Sequence, residues 1–234
     1  MVVTPELLGF FPLLKQLPHD SLKQLAEQAS VQKYARRAVV LNAGEDATQV
    51  CFLFEGRLQA VDFTVDGREV GLFFVEPGDF CGELALFDFG PQPEYIIVLS
   101  PAVLVLIPID VLRGLMENSS HMTLQLGQRL AGRLRQMTHQ RSLLGMPNIS
   151  QRVCCQLWML VQASTTRLDE KEAEIRNPPT HMEIAIMLNL SRETVTRVFQ
   201  ALQNSLIVKR DGTSRLLITD LQQLKKLAEG TTEL

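Results

Sequence analysis

The feature that most constrains the fold is a segment near the carboxyl end that carries two helix starts in close succession. Thr180 is followed three residues later by Glu183, which is the pattern of a capping box. Ser191 is a second N-cap residue, with Thr194 at the third helical position. Two short helices joined by a tight turn form a helix-turn-helix. The inner face of the second helix is expected to be apolar, with Val195, Val198, Phe199 and Leu202.

The outer face of the second helix is polar and suits the major groove of DNA. Arg192 and Arg197 can each bond a guanine edge, and Glu193 can accept from a cytosine amino group. Hydroxyl and imidazole groups near the two helix N-termini are better placed for phosphates. One arginine alone is usually a solvated charge, but this combination is specific. The predicted DNA-binding residues are Arg192, Glu193, Arg197, Thr196, Ser191, Thr194, Thr180 and His181.

A β-rich stretch follows the two helices. The residues from Leu206 to Ile218 form two arms around Asp211-Gly212, which is a tight hairpin turn. Such a hairpin beside a helix-turn-helix is a wing. Its basic residues would add contacts to the DNA backbone; they are Lys209, Arg210 and Arg215.

The amino-terminal half changes from a helical pattern to a strand pattern. The first forty residues are predicted helical, with a stop and a new N-cap within Pro18-His19-Asp20-Ser21 and one apolar face through Leu22, Leu25 and Ala29. From 38 to 108, short runs of Val, Phe, Ile and Leu alternate with turn residues. This spacing predicts a small antiparallel barrel or jelly roll.

A long helical stretch links the two halves, from Ile109 to about Leu144. Because the barrel already has a core, an apolar stripe here predicts a seam with a second copy of the chain; packing on its own barrel is the alternative. The segment 145–148 ends this helix and is the candidate hinge. A helix over 149–163 and a polar loop over 164–179 are predicted next. The stripe consists of Leu126, Leu130, Leu134 and Met137.

Composition narrows the classes of function. The net charge is −3, so DNA binding needs a local basic patch. Residues 118–168 contain no Asp or Glu. Neither a membrane span nor a signal peptide is evident, which predicts a cytoplasmic chain. We find no nucleophile–base pair, metal-ligand spacing or phosphate loop, so we expect no enzyme, no catalytic residue and no metal. The arginines of the acid-free stretch are Arg129, Arg133, Arg135, Arg141, Arg152 and Arg167.

These motifs resemble the CRP/FNR superfamily, the cyclic-AMP receptor protein and its relatives, over nearly the whole chain. The string 191–197 resembles the recognition helix of that family. Ala43-Gly44-Glu45, Phe54-Glu55-Gly56 and Pro77-Gly78-Asp79-Phe80 resemble its barrel turns, and 81–87 resembles its phosphate-binding cassette. The resemblance implies an α+β protein. Its parts would be a double-stranded β-helix (jelly-roll) cyclic-nucleotide-binding-like domain at 1–115, a dimerisation helix at 116–145, and a winged helix-turn-helix DNA-binding domain at 146–234.

The resemblance also implies an effector pocket, but one with altered chemistry. In cyclic-nucleotide members the cassette Glu binds the ribose hydroxyl, and a downstream Arg followed by Ser or Thr binds the phosphate. Here Pro93 and Glu94 occupy those two positions, and a carboxylate repels a phosphate. We therefore expect a ligand other than cyclic AMP, or none, unless Arg57 or Arg68 supplies the charge. The alternative for Glu83 is a purely structural role in the turn. The pocket residues are Gly82, Glu83, Leu84, Ala85, Glu94 and Thr138.

The resemblance thus predicts a dimeric transcription regulator that is controlled by a small-molecule effector and binds a palindromic operator with TGTGA-like half-sites. RNA polymerase would be a partner if the regulator activates. The alternative is a cyclic-nucleotide- or haem-responsive regulator with non-standard pocket residues. An iron–sulfur cluster is not expected, since no cysteine precedes Cys51. Cys81 lies near the place of a haem ligand, and a thiol switch at Cys81 or Cys154–Cys155 is a further alternative. A cyclic-nucleotide module of a kinase or channel is disfavoured by the winged helix.

Overall fold

The structure is a computed structural model that describes residues 2–163, 171–212 and 214–234. The chain divides into two compact units, Met1–Gln136 and Met137–Leu234. Both combine helices with antiparallel sheet, which confirms the predicted α+β class.

The first unit opens with two helices, α1 (Pro5–Leu8) and α2 (His19–Gln28). The predicted break and new N-cap within 18–21 are confirmed, because α2 begins at His19 directly after its N-cap residue Pro18. The helical prediction for the first forty residues is wrong beyond Gln28. Ala29 is extended, and residues 30–34 form a strand that pairs with residues 102–106 of the last barrel strand. A strand whose partner lies so far along the chain leaves little trace in the local pattern.

The barrel itself is a six-stranded antiparallel sheet. Its order is β1-β6-β3-β4, with β2 paired to β6 and β5 paired to β3. The two long strands β3 and β6 pair from Gln49↔Pro108 to Val61↔Tyr95. The predicted hairpin at Asp66-Gly67 joins β3 to β4. The elements are β1 (Ser30–Tyr34), β2 (Val39–Leu41), β3 (Gln49–Phe63), β4 (Glu69–Val75), β5 (Phe80–Cys81), the short helix α3 (Ala85–Asp88) and β6 (Tyr95–Pro108).

Alternation along the barrel strands separates two cores. On β3, Cys51 and Leu53 join the cluster inside the barrel, whereas Val50 and Phe52 join a second cluster with α1, α2 and the helices after the barrel. This follows from the period of two along a strand, which sends neighbouring side chains to opposite faces. The barrel is thereby packed on its inside and on one outer side.

Two helices follow the barrel, α4 (Ile109–Glu117) and α5 (Ser120–Leu144). The predicted apolar stripe on α5 is partly wrong, because Leu126 is fully buried in the core of the first unit together with Met122. Leu134 and Met137 are 67% and 40% exposed. At about 100° per residue, Leu126 and Leu134 lie about 80° apart around the helix, which is enough to place them on different faces.

The second unit contains a three-stranded antiparallel sheet in the order β7-β9-β8. The predicted loop over 164–179 is partly wrong, because 173–176 form a strand; residues 164–170 lie outside the described residues. No prediction covered the last helix, which packs on α6. The elements are α6 (Ile149–Ala163), β7 (Ala173–Arg176), α7 (His181–Leu188), α8 (Arg192–Asn204), β8 (Val208–Asp211), β9 (Arg215–Ile218) and α9 (Leu221–Glu229).

Among the described residues, no helix is both long and apolar enough to cross a lipid bilayer.

The register shift of β3 at Gly56 provides a test of the barrel packing. Gly56 has φ +96°, and an added Cβ would lie 2.5 Å from the carbonyl oxygen of Pro101. Gly56→Ala should lower the free energy of unfolding by about 3 kcal/mol or more, since backbone must move. Gly67→Ala is the matched control, because Gly67 also has a positive φ but open space around it, and should cost about 1–2 kcal/mol. Urea unfolding followed by circular dichroism measures both; equal losses would contradict this account.

Candidate functional site

The helix-turn-helix is fixed at its start and its turn by side-chain caps. Thr180 accepts from the amide of Glu183 at 3.3 Å, and the Glu183 carboxylate accepts from the amide of Thr180 at 2.9 Å. Asn189 ends α7 in the left-handed conformation, and Ser191 accepts from the amide of Thr194 at 3.1 Å. The two caps confirm the predicted helix starts and set the angle at which α8 leaves the turn.

Three of the predicted base-reading residues share the open face of α8. Arg192, Glu193 and Arg197 are all exposed, whereas the opposite face is buried in the core of the second unit. One guanidinium nitrogen of Arg197 lies 3.4 Å from the hydroxyl of Thr194. Local hydrogen bonds to its own backbone and to Ser191 lower the pKa of Glu193, which stays ionised. This face therefore presents two cations and one anion to solvent.

The hydroxyl of Thr196 is engaged inside the protein. It donates to the carbonyl of Arg192 at 2.9 Å and lies 3.0 Å from Nδ1 of His181. The His181 ring also packs on Phe199, with centroids 4.4 Å apart. Burial, and then the charges of Arg210 and Arg192, lower the pKa of His181. Thr196 and His181 thus form a link between α7 and α8.

The wing lies beside these helices in the second unit. Its strands β8 and β9 pair from Val208↔Ile218 to Asp211↔Arg215, as predicted. Lys209 and Arg215 are exposed, and Arg215 lies 3.9 Å from the carboxylate of Asp211. Thr213 lies outside the described residues.

The cassette turn in the first unit points its glutamate inward. Gly82 has φ +84°, and an added Cβ would lie 3.0 Å from the carbonyl oxygen of Gln49, so only glycine fits there. The turn leaves Glu83 only 1% exposed. Leu84 then caps α3, and the buried Ala85 accepts a hydrogen bond through its carbonyl from Arg113 of α4 at 2.7 Å.

A guanidinium from α5 meets the cassette carboxylate. Arg133 donates to Glu83 at 2.6 Å and to the carbonyl of Phe80 at 3.2 Å. Its charge also lies 4.0 Å from the centre of the Phe73 ring. One turn earlier on α5, Arg129 forms an ion pair with Asp79. Because both members of the Glu83–Arg133 pair are buried, the pair fixes α5 against the cassette.

Arg133 was predicted only as one arginine of the acid-free stretch and not as a pocket residue. The available signal was the helix register, since Arg129 and Arg133 follow the buried Leu126 of α5 by about one and two helical turns. The alternatives named for the positive charge do not supply it, since Arg57 pairs with Glu76 at 2.7 Å and Arg68 with Asp66 at 2.6 Å.

Glu94 is a third carboxylate in the same buried group. It is 7% exposed, and burial together with the charge of Glu83 raises its pKa to about 7, against the pull of Arg133. Within the part of the chain that the structure describes, this group contains the carboxylates of Glu83, Glu94 and Asp79 and the guanidiniums of Arg129 and Arg133. Glu94 is the carboxylate without a guanidinium bond of its own. Thr138, the remaining predicted pocket residue, is exposed and lies in the second compact unit.

The cysteines are present as free thiols. Cys51 and Cys81 face each other on β3 and β5, and the Cys81 thiol lies 3.8 Å from the carbonyl of Cys51. The neighbouring Cys51 thiol and burial raise the pKa of Cys81. A protonated, buried thiol is a poor ligand for haem iron and a slow partner in thiol exchange.

Comparison with known proteins gives two family matches and many relatives. Residues 31–119 match the cyclic nucleotide-binding domain, and residues 151–227 match the Crp-like helix-turn-helix domain. A cAMP-activated global transcriptional regulator CRP from Pasteurella multocida is 27% identical over 195 residues, which is 82% of this chain and 91% of that protein. A CRP-like cAMP-activated global transcriptional regulator from Mycobacterium tuberculosis is 26% identical over 95% of this chain and 99% of its own length.

Solved structures show the same fold. FixK2 from Bradyrhizobium japonicum superposes with a TM-score of 0.74 at 21% identity, covering 85% of this chain and 96% of that one. A CooA mutant from Carboxydothermus hydrogenoformans superposes with a TM-score of 0.72 at 18% identity, covering 86% of this chain and 88% of that one.

The raised pKa of Glu94 makes the free energy of unfolding depend on pH. Because the pKa of Glu94 rises from 4.5 to about 7 in the folded chain, the folded state holds a proton that the unfolded state releases. Stability should therefore fall as pH rises from about 4.5 to about 7, by up to about 3 kcal/mol. Glu94→Gln should abolish this loss, whereas Glu55→Gln, at an exposed position of β3, should keep it. Denaturant unfolding between pH 4.5 and pH 8 provides the measurement, and an unchanged slope in Glu94→Gln would contradict the assignment.

Proposed function

The chain belongs to the CRP/FNR family of transcription regulators, and from that premise we propose that it binds a palindromic operator as a homodimer under the control of an effector other than cyclic AMP. The observation behind this proposal is the exposed face of α8, where Arg192, Glu193 and Arg197 stand together on a helix fixed by the Ser191 cap. Side chains at the start of a recognition helix read base edges. Thr180, His181, Ser191 and Thr194 would bind phosphates at the helix N-termini.

The homodimer is supported by an exposed stripe on α5. Leu124 and Leu134 are 61% and 67% exposed, and Gly127 and Ala131 lie between them. The spacing alternates between three and four residues, which is the pattern of a coiled-coil seam. Gly127 has nothing within 4 Å of an added Cβ, so a second helix could approach closely. Paired subunits would place two recognition helices about one turn of DNA apart.

The effector domain would cover 1–115, the dimerisation helix 116–145 and the DNA-binding domain 146–234, with the segment 145–148 as the hinge. The structure divides into compact units inside α5, after Gln136. We place the protein in the cytoplasm with its DNA, and RNA polymerase would be its partner at activated promoters.

The proposal that the effector is not cyclic AMP rests on charge. Glu94 stands at the position of the phosphate-binding residues, and its neighbour Glu83 is already bonded to Arg133. A cyclic phosphate placed there would meet a carboxylate that lacks a cation of its own. The second candidate is cyclic AMP itself, because relatives from Pasteurella multocida and Mycobacterium tuberculosis are named as cAMP-activated.

Removal of a reading arginine tests the DNA assignment. Arg197→Ala should weaken binding to a labelled palindromic TGTGA site by about ten- to a hundredfold, since a bidentate guanine contact contributes about 1–3 kcal/mol. Binding to random DNA should change little. Arg36→Ala, which removes one exposed charge from the first unit, is the control and should bind normally. Sedimentation should show an intact dimer in both variants; unchanged affinity of Arg197→Ala would refute the assignment.

A titration of the same site with and without cyclic AMP tests the effector proposal. Affinity at one stated salt concentration should agree within about twofold in the two series, because salt alone shifts such affinities strongly. The double variant Pro93→Arg/Glu94→Ser restores the family's phosphate-binding pair and should gain a response to cyclic AMP. Binding of the wild type only in the presence of cyclic AMP would refute the proposal and favour the second candidate.

A further inference from the structure

The end of α7 is held by side chains from two other helices. The last carbonyls of a helix have no partners within it. The amide of Asn189 covers the carbonyls of Ala185 and Ile186, which leaves those of Met187 and Leu188. The side-chain amide of Gln140 donates to the carbonyl of Met187, and Arg152 donates to that of Leu188 at 3.2 Å.

Both of these side chains are well placed to fix α7. Gln140 is on α5 and is only 4% exposed, so its amide has exchanged water for this bond. Arg152 is on α6, and its second nitrogen donates to the carbonyl of Met146 at 2.6 Å. Its positive charge also suits the negative end of a helix dipole. The candidate hinge at 145–148 is therefore itself bonded, at Met146, to α6 of the same unit.

The position of the end of α7 determines where α8 begins. Only Asn189 and Leu190 separate α7 from the Ser191 cap, and Leu190 is bonded back to the carbonyl of Ala185 at 2.9 Å. Such a short, bonded turn leaves α8 little freedom relative to α7. A side chain that fixes the carbonyl of Met187 therefore also fixes Arg192 and the rest of the reading face.

Gln140 also shares a helix face with the cassette-bonded arginine. Arg133 and Gln140 both lie on α5, seven residues apart, which is about 20° short of two full turns. The helix is continuous from Ser120 to Leu144. The helix that carries Arg133 in the first unit therefore continues in sequence to Gln140 in the second unit.

We propose that Gln140 is a positioning residue for DNA recognition: through its bond to the carbonyl of Met187 it holds the start of α8 at the end of α5, so that a change at Glu83 alters DNA affinity by way of this bond. This inference rests on the proposed function of α8 as the DNA-reading helix. It assigns the transmission of the signal to a named hydrogen bond upstream of the segment 145–148.

The test replaces the amide donor in the full-length chain. Gln140→Leu keeps the size of the side chain and should lower affinity for the palindromic site about tenfold, with less than about a twofold change on random DNA. Gln151→Leu is the matched control. Its amide donates to the carbonyl of Ala228 at 3.2 Å in the last turn of α9, so it loses the same kind of bond in the same unit without touching α7. Its operator affinity should stay within about twofold of the wild type.

A double-mutant cycle then tests the coupling. Glu83→Gln should lower operator affinity in the wild-type background and should have less than half of that effect, in log units, in the Gln140→Leu background. Gln140→Met, whose flexible side chain repacks readily, is measured in parallel in case Gln140→Leu does not fold by circular dichroism.

Several results would overturn the inference. One is that Gln140→Leu and Gln140→Met bind the operator as tightly as the wild type, and another is that Gln151→Leu loses as much operator affinity as Gln140→Leu. The others are that Glu83→Gln has no effect on operator affinity in the wild-type background, or has the same effect in the Gln140 variants. Its failure differs from failure of the proposed function. If the wild type prefers the operator and Arg197→Ala loses that preference, only the inference fails; if the wild type shows no preference for the operator, both fail.

Discussion

The buried ion pair between Glu83 and Arg133 is the interaction on which the sensing unit depends. Removing two charges from water is costly, and the cost is recovered only when the geometry is good and the remaining donors are satisfied. Here Arg133 meets Glu83, the carbonyl of Phe80 and the face of Phe73. Loss of either partner would leave a buried charge unpaired. The pair therefore couples the shape of the cassette turn to the placement of α5.

The cassette retains the turn of the family but distributes its charges differently. Gly82 takes the positive φ of the turn, and the carboxylate of Glu83 is already paired with Arg133 of the same chain. Pro93 and Glu94 stand where the family's nucleotide binders have an arginine and a Ser or Thr, so a positive charge is lost and a carboxyl group is gained. Burial raises the pKa of the Glu94 carboxyl to about 7, so this group holds its proton more tightly than an exposed glutamate does.

The predictable parts of the molecule are those whose causes are local. Two helix starts were predictable from Thr180, Glu183 and Ser191, because an N-cap residue and its bonding partner lie within one helical turn of each other. The break after Leu144 was visible in Gly145 and Pro147. By contrast, β1 and β7 were missed because their stability comes from β6 and β9, which lie far along the chain. Arg133 was missed for the same reason, since its partner Glu83 lies on another element.

The position of β6 in the sheet has a consequence for how the chain is made. β6 pairs with β1, β2 and β3, so none of these strands has its main partner until the ribosome has completed Pro108. Until then the nascent chain exposes unpaired strand edges, which are the surfaces most prone to wrong association. Pairings of such high sequence separation also close slowly. Barrel closure is therefore expected to be the step of biogenesis at which this protein depends most on chaperones.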